Sequence, residues 1–270
     1  MSGRMKFGKC RLTGRRGHFV KSHIIPEALT EVTWRGQPLT QQGKGGQLIK
    51  RWTSWYDDKL VTSEGEAVLQ KYDDWAITFF RKHKLIWSAI FPPLGRLETA
   101  DHQWCDELNM GIRRIVDETS MLRLFFLSLL WRAATTNRFE FGSVAIPADD
   151  REKLREMVLS GRAVPHEFYQ ITLTQLITIG FPHNWSAYRY TKTIPNVGTD
   201  DSPRVVDIFR FYFDGLIAHM HINDDPEIVT KQAGFFVGQA SETLVTTLRA
   251  QDSLQMKRFW DRAQNVDRSN

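Results

Sequence analysis

The stretch MLRLFFLSLLWRAA, Met121 to Ala134, constrains this chain more than any other. A helix apolar on every side is stable only when other elements surround it. The run is shorter than the roughly 20 residues needed to cross a bilayer and carries Arg123 and Arg132, so it reads as a core helix over 120–136 and no membrane partner is expected. The rest of the 270-residue chain must supply its coat.

Ahead of this run, Val68, Leu69, Tyr72, Trp75, Ala76, Phe79 and Phe80 recur at spacings of three and four, which predicts a helix from Ser63 to about His83. A turn at FPPLG, 91–95, precedes a second predicted helical stretch over about 100–118. In PADDREKLREMVLSG, Pro147 and an Asp-rich first turn open a further helix and Gly161 follows its last apolar position. After Pro165 the period changes to two, in EFYQITLTQLITI, WSAYRYTKTI and VVDIFRFYFDGLIAHMHI. Asp214-Gly215 between alternating runs is a hairpin signal, and the expectation is an antiparallel sheet of about four strands. A final helix is predicted from about Ser241 to Gln264, with Leu244, Val245, Leu248, Leu254 and Phe259 facing the core. Helices, then sheet, then a closing helix give an α+β fold class. Residues 35–47, rich in Gly and Gln, read as a long projecting loop.

Charge is concentrated at the N-terminal end. Residues 1 to 60 hold twelve Lys or Arg against four Asp or Glu, a formal +8, so the remainder carries −3 within a whole-chain +5. A concentrated basic segment favours a polyanion such as DNA or RNA; a solubilising basic tail is the plainer reading. Arg4, Lys6, Lys9 and Arg11 interrupt the first segment, so no export signal is expected. Two cysteines, Cys10 and Cys105, provide no disulfide framework and fit a reducing, cytoplasmic setting.

Several candidate sites are weaker. His219 and His221 have an H-x-H spacing that can hold a metal, but alternation turns Ala218, Met220 and Ile222 inward and both histidines outward, with no third ligand nearby. Asp200, Asp201, Asp224 and Asp225 fall in apparent turns, where Asp is favoured for backbone reasons. His102, Cys105 and Asp106 would share one helical turn, with Cys105 packing inward beside Trp104. Neither a phosphate-cradling G-x-x-x-x-G-K-[ST] loop nor a G-x-S-x-G elbow occurs.

The N-terminal segment carries the sharper pattern. CRLTGRRGHFVKSHIIPEAL, a Gly-rich loop, and then SWYDDKLVTSEGEAVLQKYDDWA resembles prokaryotic HNH-endonuclease-like proteins over about residues 8–80. Such proteins read C-x-x-C, SHIIP, a YD-x-x-L segment and C-x-x-C-E before a helix. The FFLSLLWRAA region also looks like the longer members of the group. The resemblance implies a ββα finger over 1–84 and a helix-plus-sheet body over 85–270.

In that pattern two C-x-x-C pairs hold a structural zinc. Here those positions read Cys10, Thr13, Thr62 and Gly65, so no structural zinc is expected and apolar packing by Phe19, Ile24, Ile25, Trp52, Trp55 and Leu60 must replace it. His23 matches the base that activates water, Glu66 a metal-binding residue at the helix start, and Asp57 or Asp58 a middle polar residue. Ser22 stands where active members often have a carboxylate or imidazole, so a divalent Mg²⁺ or Mn²⁺ would need the substrate phosphate to complete its shell. Arg11, Arg15, Arg16, Lys21, Lys50 and Arg51 are the expected phosphate contacts, with Trp34, Trp52 or Trp55 as stacking surfaces. Three readings follow for His23: nuclease base, anchor in a nucleic-acid binder that does not cut, or structural residue of a protein-interaction subunit. The resemblance further implies a toxin-like effector role in phage defence, restrained by a regulatory protein partner docking on the C-terminal sheet or last helix.

Overall fold

The computed structural model describes residues 6–30, 38–43, 46–90, 97–98, 101–194, 204–222 and 233–267. The apolar run forms helix α3, Ser120–Thr135, and Leu122 through Ala133 are all buried in it, Arg123 and Arg132 included. Helices α1 (Ser63–Lys82) and α4 (Ala148–Ser160) pack on α3. Phe80 of α1 meets Phe125 and Phe126 of α3 at ring separations of 5.5 and 6.2 Å, and Tyr72 donates a 2.6 Å hydrogen bond to Val158 O of α4. Gly161 ends α4 in a left-handed conformation, as its place in the sequence predicts.

These helices cover one face of a sheet larger than expected. The N-terminal strands β1 (Phe7–Lys9), β2 (Arg16–His18), β3 (Ser22–His23), β4 (Leu39–Gln42), β5 (Leu48–Arg51) and β6 (Tyr56–Asp57) form three small antiparallel pairs, β1 with β2, β3 with β6 and β4 with β5. The large sheet has seven strands: β7 (Gln103–Cys105), β8 (Met110–Val116), β9 (Ile171–Leu176), β10 (Trp185–Ile194), β11 (Arg204–Phe213), β12 (Leu216–Ile222) and β13 (Glu242–Leu248). Their order is β10-β11-β12-β9-β13-β8-β7. The sheet is mixed, because β13 runs parallel to β9 while the other pairs are antiparallel.

The additional strands correct two helix expectations. Residues 103–116 alternate in burial along Met110–Val116, which is a strand pattern, so the expected helix over 100–118 is the hairpin β7–β8. The expected helix from Ser241 begins instead with β13, where Thr243, Val245 and Thr247 are buried at every second position. Helix α5 spans only Leu254–Asp267; Phe259 is buried in it, whereas Leu254 is exposed. The long loop is also partly structured. Strands β4 and β5 form a hairpin stitched to β10 through Gln42 N to Asn184 O (3.0 Å) and Asn184 N to Thr40 O (2.8 Å). Residues 35–37, 44, 45 and the FPPLG turn lie outside the described residues.

Both faces of the sheet are covered. On the first face Phe209, Phe211 and Phe213 join α1, α3 and α4 in one apolar cluster, which also takes in Cys10, Leu12, Ile24, Ile25, Trp55 and Leu60 from the N-terminal segment. On the second face Tyr212, Ile217 and Trp185 pack with Trp87 of the short helix α2 (Trp87–Ile90) and with Met256 and Phe259 of α5. Of the expected finger core, Phe19 is only half-buried and Trp52 is 76% exposed. Trp52 follows a short edge hairpin, and nothing in its local pattern separates a packed Trp from a solvated one.

The Asp214-Gly215 turn joins β11 to β12, with both residues at positive φ (46° and 79°) as a tight hairpin requires. Trp87 lies directly over it: a Cβ on Gly215 would stand 2.3 Å from Trp87 Nε1. Asp214 turns inward and takes Ser88 Oγ at 2.5 Å, and burial pushes its carboxyl up to about 7 against those Ser88 hydrogen bonds. Gly215→Ala therefore combines backbone strain with an overpacked Trp87 and is expected to cost about 2 to 4 kcal/mol. Gly161→Ala, with Tyr72 Oη no closer than 3.8 Å, should cost about 1 kcal/mol. Denaturant unfolding of both variants checks this; equal losses would contradict the packing account.

Candidate functional site

The N-terminal segment closes on itself at a turn of four residues. Cys10 N donates to Arg15 O (2.8 Å), Gly14 N to Cys10 O (3.0 Å), and Thr13 N to Cys10 Sγ (3.4 Å). Arg11 N reaches Leu60 O (3.0 Å), and Phe19 pairs with Thr62 immediately before α1. Cys10, Thr13, Thr62 and Gly65 are thereby brought together. Gly65 is required there, because a Cβ on it would stand 2.7 Å from Cys10 Sγ. Burial pushes the Cys10 thiol up, yet hydrogen bonds with Thr13 and Thr62 outweigh it and leave the thiol more acidic than usual.

Strand β3 carries the two central residues. Ser22 pairs with Asp57 and His23 with Tyr56, and Ile24 N continues the ladder to Trp55 O at 3.0 Å. Ser22 is fully buried and lies beside Glu66 on the first turn of α1. Burial raises the Glu66 carboxyl above its ordinary range, with Ser22 and Arg132 opposing the rise. His23 Nε2 lies 3.7 Å from Glu27 Oε1, and its ring stands edge-on to Tyr56 at 6.2 Å. Burial lowers the His23 pKa, with Lys21 and Arg132 pushing the same way and Glu27 opposing, so the imidazole is neutral at neutral pH. His23 Nε2 is buried without a hydrogen-bond partner, and Ser22 Oγ and Glu66 Oε2, close enough for Ser22 to lower the Glu66 pKa, make no hydrogen bond to any other residue. Buried polar atoms are usually satisfied, so these three, with Ser54 Oγ and Trp55 Nε1 on the paired segment, have hydrogen-bonding capacity left for water or a ligand.

Arg132 lies beneath this cradle. Its guanidinium holds Asp73 of α1 with two contacts, 2.5 and 3.0 Å, and donates to His23 O (3.2 Å) and Ser128 Oγ (3.1 Å). Arg132 is 1% exposed, so the pair fixes the back of β3 to both helices in a nearly dry setting. The sequence reading missed Asp73 and Arg132 as members of the site. A signal existed: a charged residue inside an otherwise apolar helix needs a buried partner, and Asp73 stands seven residues after Glu66 on the same helix.

The other expected residues are more dispersed. Asp57 is already engaged, accepting Lys59 N at 2.8 Å and Thr136 Oγ1 at 2.7 Å. Asp58 pairs with Lys6. Arg11 caps the end of α3 by donating to Thr135 O and to Asn137 Oδ1. Arg15 pairs with Glu64, and Arg16 lies 5.4 Å over the Phe7 ring. Lys21 lies 4.5 Å over Tyr56 and reaches Thr53 Oγ1 at 3.2 Å, next to His23. Lys50 and Arg51 are exposed on the β4–β5 hairpin. A cleft of about 410 Å³ between the Cys10 turn and α3 gathers Arg11, Arg151 and Arg155, with Glu152 as its acid.

Three further expectations change. His219 and His221 are buried, not outward, because the sheet is covered on both faces. His102, Cys105 and Asp106 lie on β7 and its flanking turns, not on one helical face, and Cys105 is only half-buried. Asp200, Asp201, Asp224, Asp225 and Trp34 lie outside the described residues. Among the described residues no three His, Cys, Asp or Glu side chains are grouped to hold a metal ion, and no helix is long and apolar enough to cross a membrane. No protein-family model matches the chain, and no curated protein or solved structure matches it.

If Arg132 and Asp73 hold the cradle, Asp73→Ala leaves a buried cation unpaired and should cost about 3 to 5 kcal/mol. Replacing both partners with apolar residues, Asp73→Leu with Arg132→Met, should recover most of that loss in denaturant unfolding. A loss below about 1 kcal/mol in Asp73→Ala, the range of an exposed pair, would show the pair to be incidental.

Proposed function

We propose that residues 6–82 are an HNH-like finger of the ββα kind that keeps its shape without a structural zinc, and that the protein engages nucleic acid through it. The observation that carries this reading is that two of the three positions the resemblance implies for catalysis, His23 and Glu66, each hold a buried polar atom without a hydrogen-bond partner, with Ser22 Oγ between them in the same condition, while the third, Asp57, is engaged. The Cys10 turn adds support. One thiol, two threonines and a glycine form no tetrahedral thiolate set, and the sulfur packs on Gly65 in its place.

Glu66 and Ser22 are the residues to hold Mg²⁺ or Mn²⁺, with water and the phosphate itself completing the shell. Bound there, such a cation supplies charge to the phosphoryl oxygens and the leaving oxygen. The chain's own work is separate. His23, neutral because it is desolvated, takes a proton from the attacking water at Nε2, and Glu27 at 3.7 Å stabilises the imidazolium that results. Lys21 beside it, and Arg11, Arg151 and Arg155 in the adjoining cleft, offer cations to the backbone. The same chemistry, in a prokaryotic cytoplasm, suits an effector that damages nucleic acid during phage defence under a regulatory partner's control.

A second reading, binding without cutting, is favoured by one observation: Ser22 replaces a stronger ligand while the adjacent Asp57 is occupied by Thr136 and Lys59. The test is incubation of purified protein with plasmid DNA and total RNA in Mg²⁺, Mn²⁺ or EDTA, alongside His23→Ala and Glu66→Gln. Metal-dependent cutting lost in both variants is the expected result. Salt-dependent binding without turnover selects the second reading. Intact substrate with no binding at low salt overturns both and points to a protein-interaction subunit.

A further inference from the structure

The second face of the sheet carries a charge problem that the finger does not explain. Cross-strand register places Tyr188 beside Arg210, Arg210 beside His219, and Lys192 beside Val206, so these side chains share one face of β10, β11 and β12. Arg210 is 5% exposed and donates through Nη1 to His219 Nε2 at 2.7 Å, while its Nε is buried with no partner. His219 must be neutral to accept that bond, and burial together with Arg210 and Lys192 holds it so. Lys192 is itself half-buried, and burial and Arg210 lower its pKa. Arg258 of α5 closes the group, 4.7 Å over the Tyr190 ring and bonded at 2.5 Å to Tyr188 Oη.

Among the described residues, no carboxylate forms an ion pair with Arg210, Lys192 or Arg258. Buried guanidinium and ammonium groups are strongly disfavoured without an anion. Two other buried arginines show how this fold otherwise handles the charge. Arg123 donates to Ala163 O, Pro165 O, Phe168 O and Tyr169 O, and Arg132 is paired with Asp73. Arg210 has neither arrangement. A cleft of about 470 Å³, lined by Gln42, Trp185, Tyr188, Arg258, Asp261 and Arg262, reaches this group at Tyr188 and Arg258, a size suited to a small ligand.

We propose that this face is a binding site for a phosphoryl group, held by Arg210, Lys192 and Arg258 on the strand face that carries Tyr188 and Tyr190. The ligand is inorganic phosphate or a mononucleotide. Planar guanidinium and point-charge ammonium together match a phosphate's oxygens, and Trp185 in the cleft wall is the ring offered to a base. The inference is independent of the finger's activity.

Thermal unfolding and calorimetric titration of the full chain provide the test, with inorganic phosphate, pyrophosphate and ADP compared against chloride at matched ionic strength. Phosphate or ADP should raise the Tm of the wild-type chain, and ADP binding tighter than phosphate would identify the mononucleotide. Lys192→Gln should weaken binding about tenfold or more without loss of fold. Arg210→Met should abolish binding while leaving the anion-free Tm unchanged or higher, since it removes an unpaired buried cation. Indifference of the wild-type chain to every phosphate, or an equal response from Lys192→Gln, would overturn the proposal. So would a large fall in anion-free Tm in Arg210→Met with phosphate response retained, which would mark Arg210 as structural.

Discussion

The contact between Arg132 and Asp73 determines where everything else stands. It joins the last turn of α3 to α1, and the same guanidinium holds the carbonyl of His23. An isolated small finger of this size buries too little apolar surface to be secure without a metal or disulfides. Here the N-terminal strands share one apolar cluster with the helices and the large sheet. The fold of the N-terminal segment is therefore a property of the whole chain, with Cys10, Ile24, Ile25, Trp55 and Leu60 inserted into a core that α3 supplies.

How much of this was legible in the sequence follows from which signals are local. Helices α1, α3 and α4 announced themselves through three-and-four spacing, an apolar run, and a Pro at one end with a Gly at the other. The Asp214-Gly215 hairpin was equally plain. The hairpin β7–β8 and strand β13 were misread because each is a short segment, and both helical and alternating templates fit a handful of apolar residues. The decisive fact for β13 is its parallel partner β9, some seventy residues away, which no local window contains. The same non-local cover put His219 and His221 inside, since alternation predicts an outward face only when nothing packs on it.

The site was legible in part for a related reason. His23 and Glu66 follow from a motif, and Ser22 with them. Their supporting residues do not, because Asp73 and Arg132 are meaningful only once α1 and α3 cross. The basic residues expected at phosphates carry further contacts that no local pattern shows: Arg11 caps α3 and Arg15 pairs with Glu64. Among the described residues Arg210 and Lys192 have no carboxylate ion partner, and they lie far along the chain in a segment whose overall charge is negative, where a sum over sequence hides them.

The molecule thus has two polar places set into an apolar frame, the buried polar side chains of Ser22, His23 and Glu66 on the first side of the sheet and, on the second, a cationic group with no carboxylate ion partner among the described residues. Both depend on the frame being one cooperative unit. Native-state amide hydrogen exchange tests that most directly. The account predicts that the amide of Ile24, bonded to Trp55 O, and the amides inside α1 exchange with the same free energy as those of α3. Exchange of the N-terminal strands and α1 at a distinctly lower free energy, with α3 still protected, would mean that the finger opens on its own and that Arg132 does not hold it.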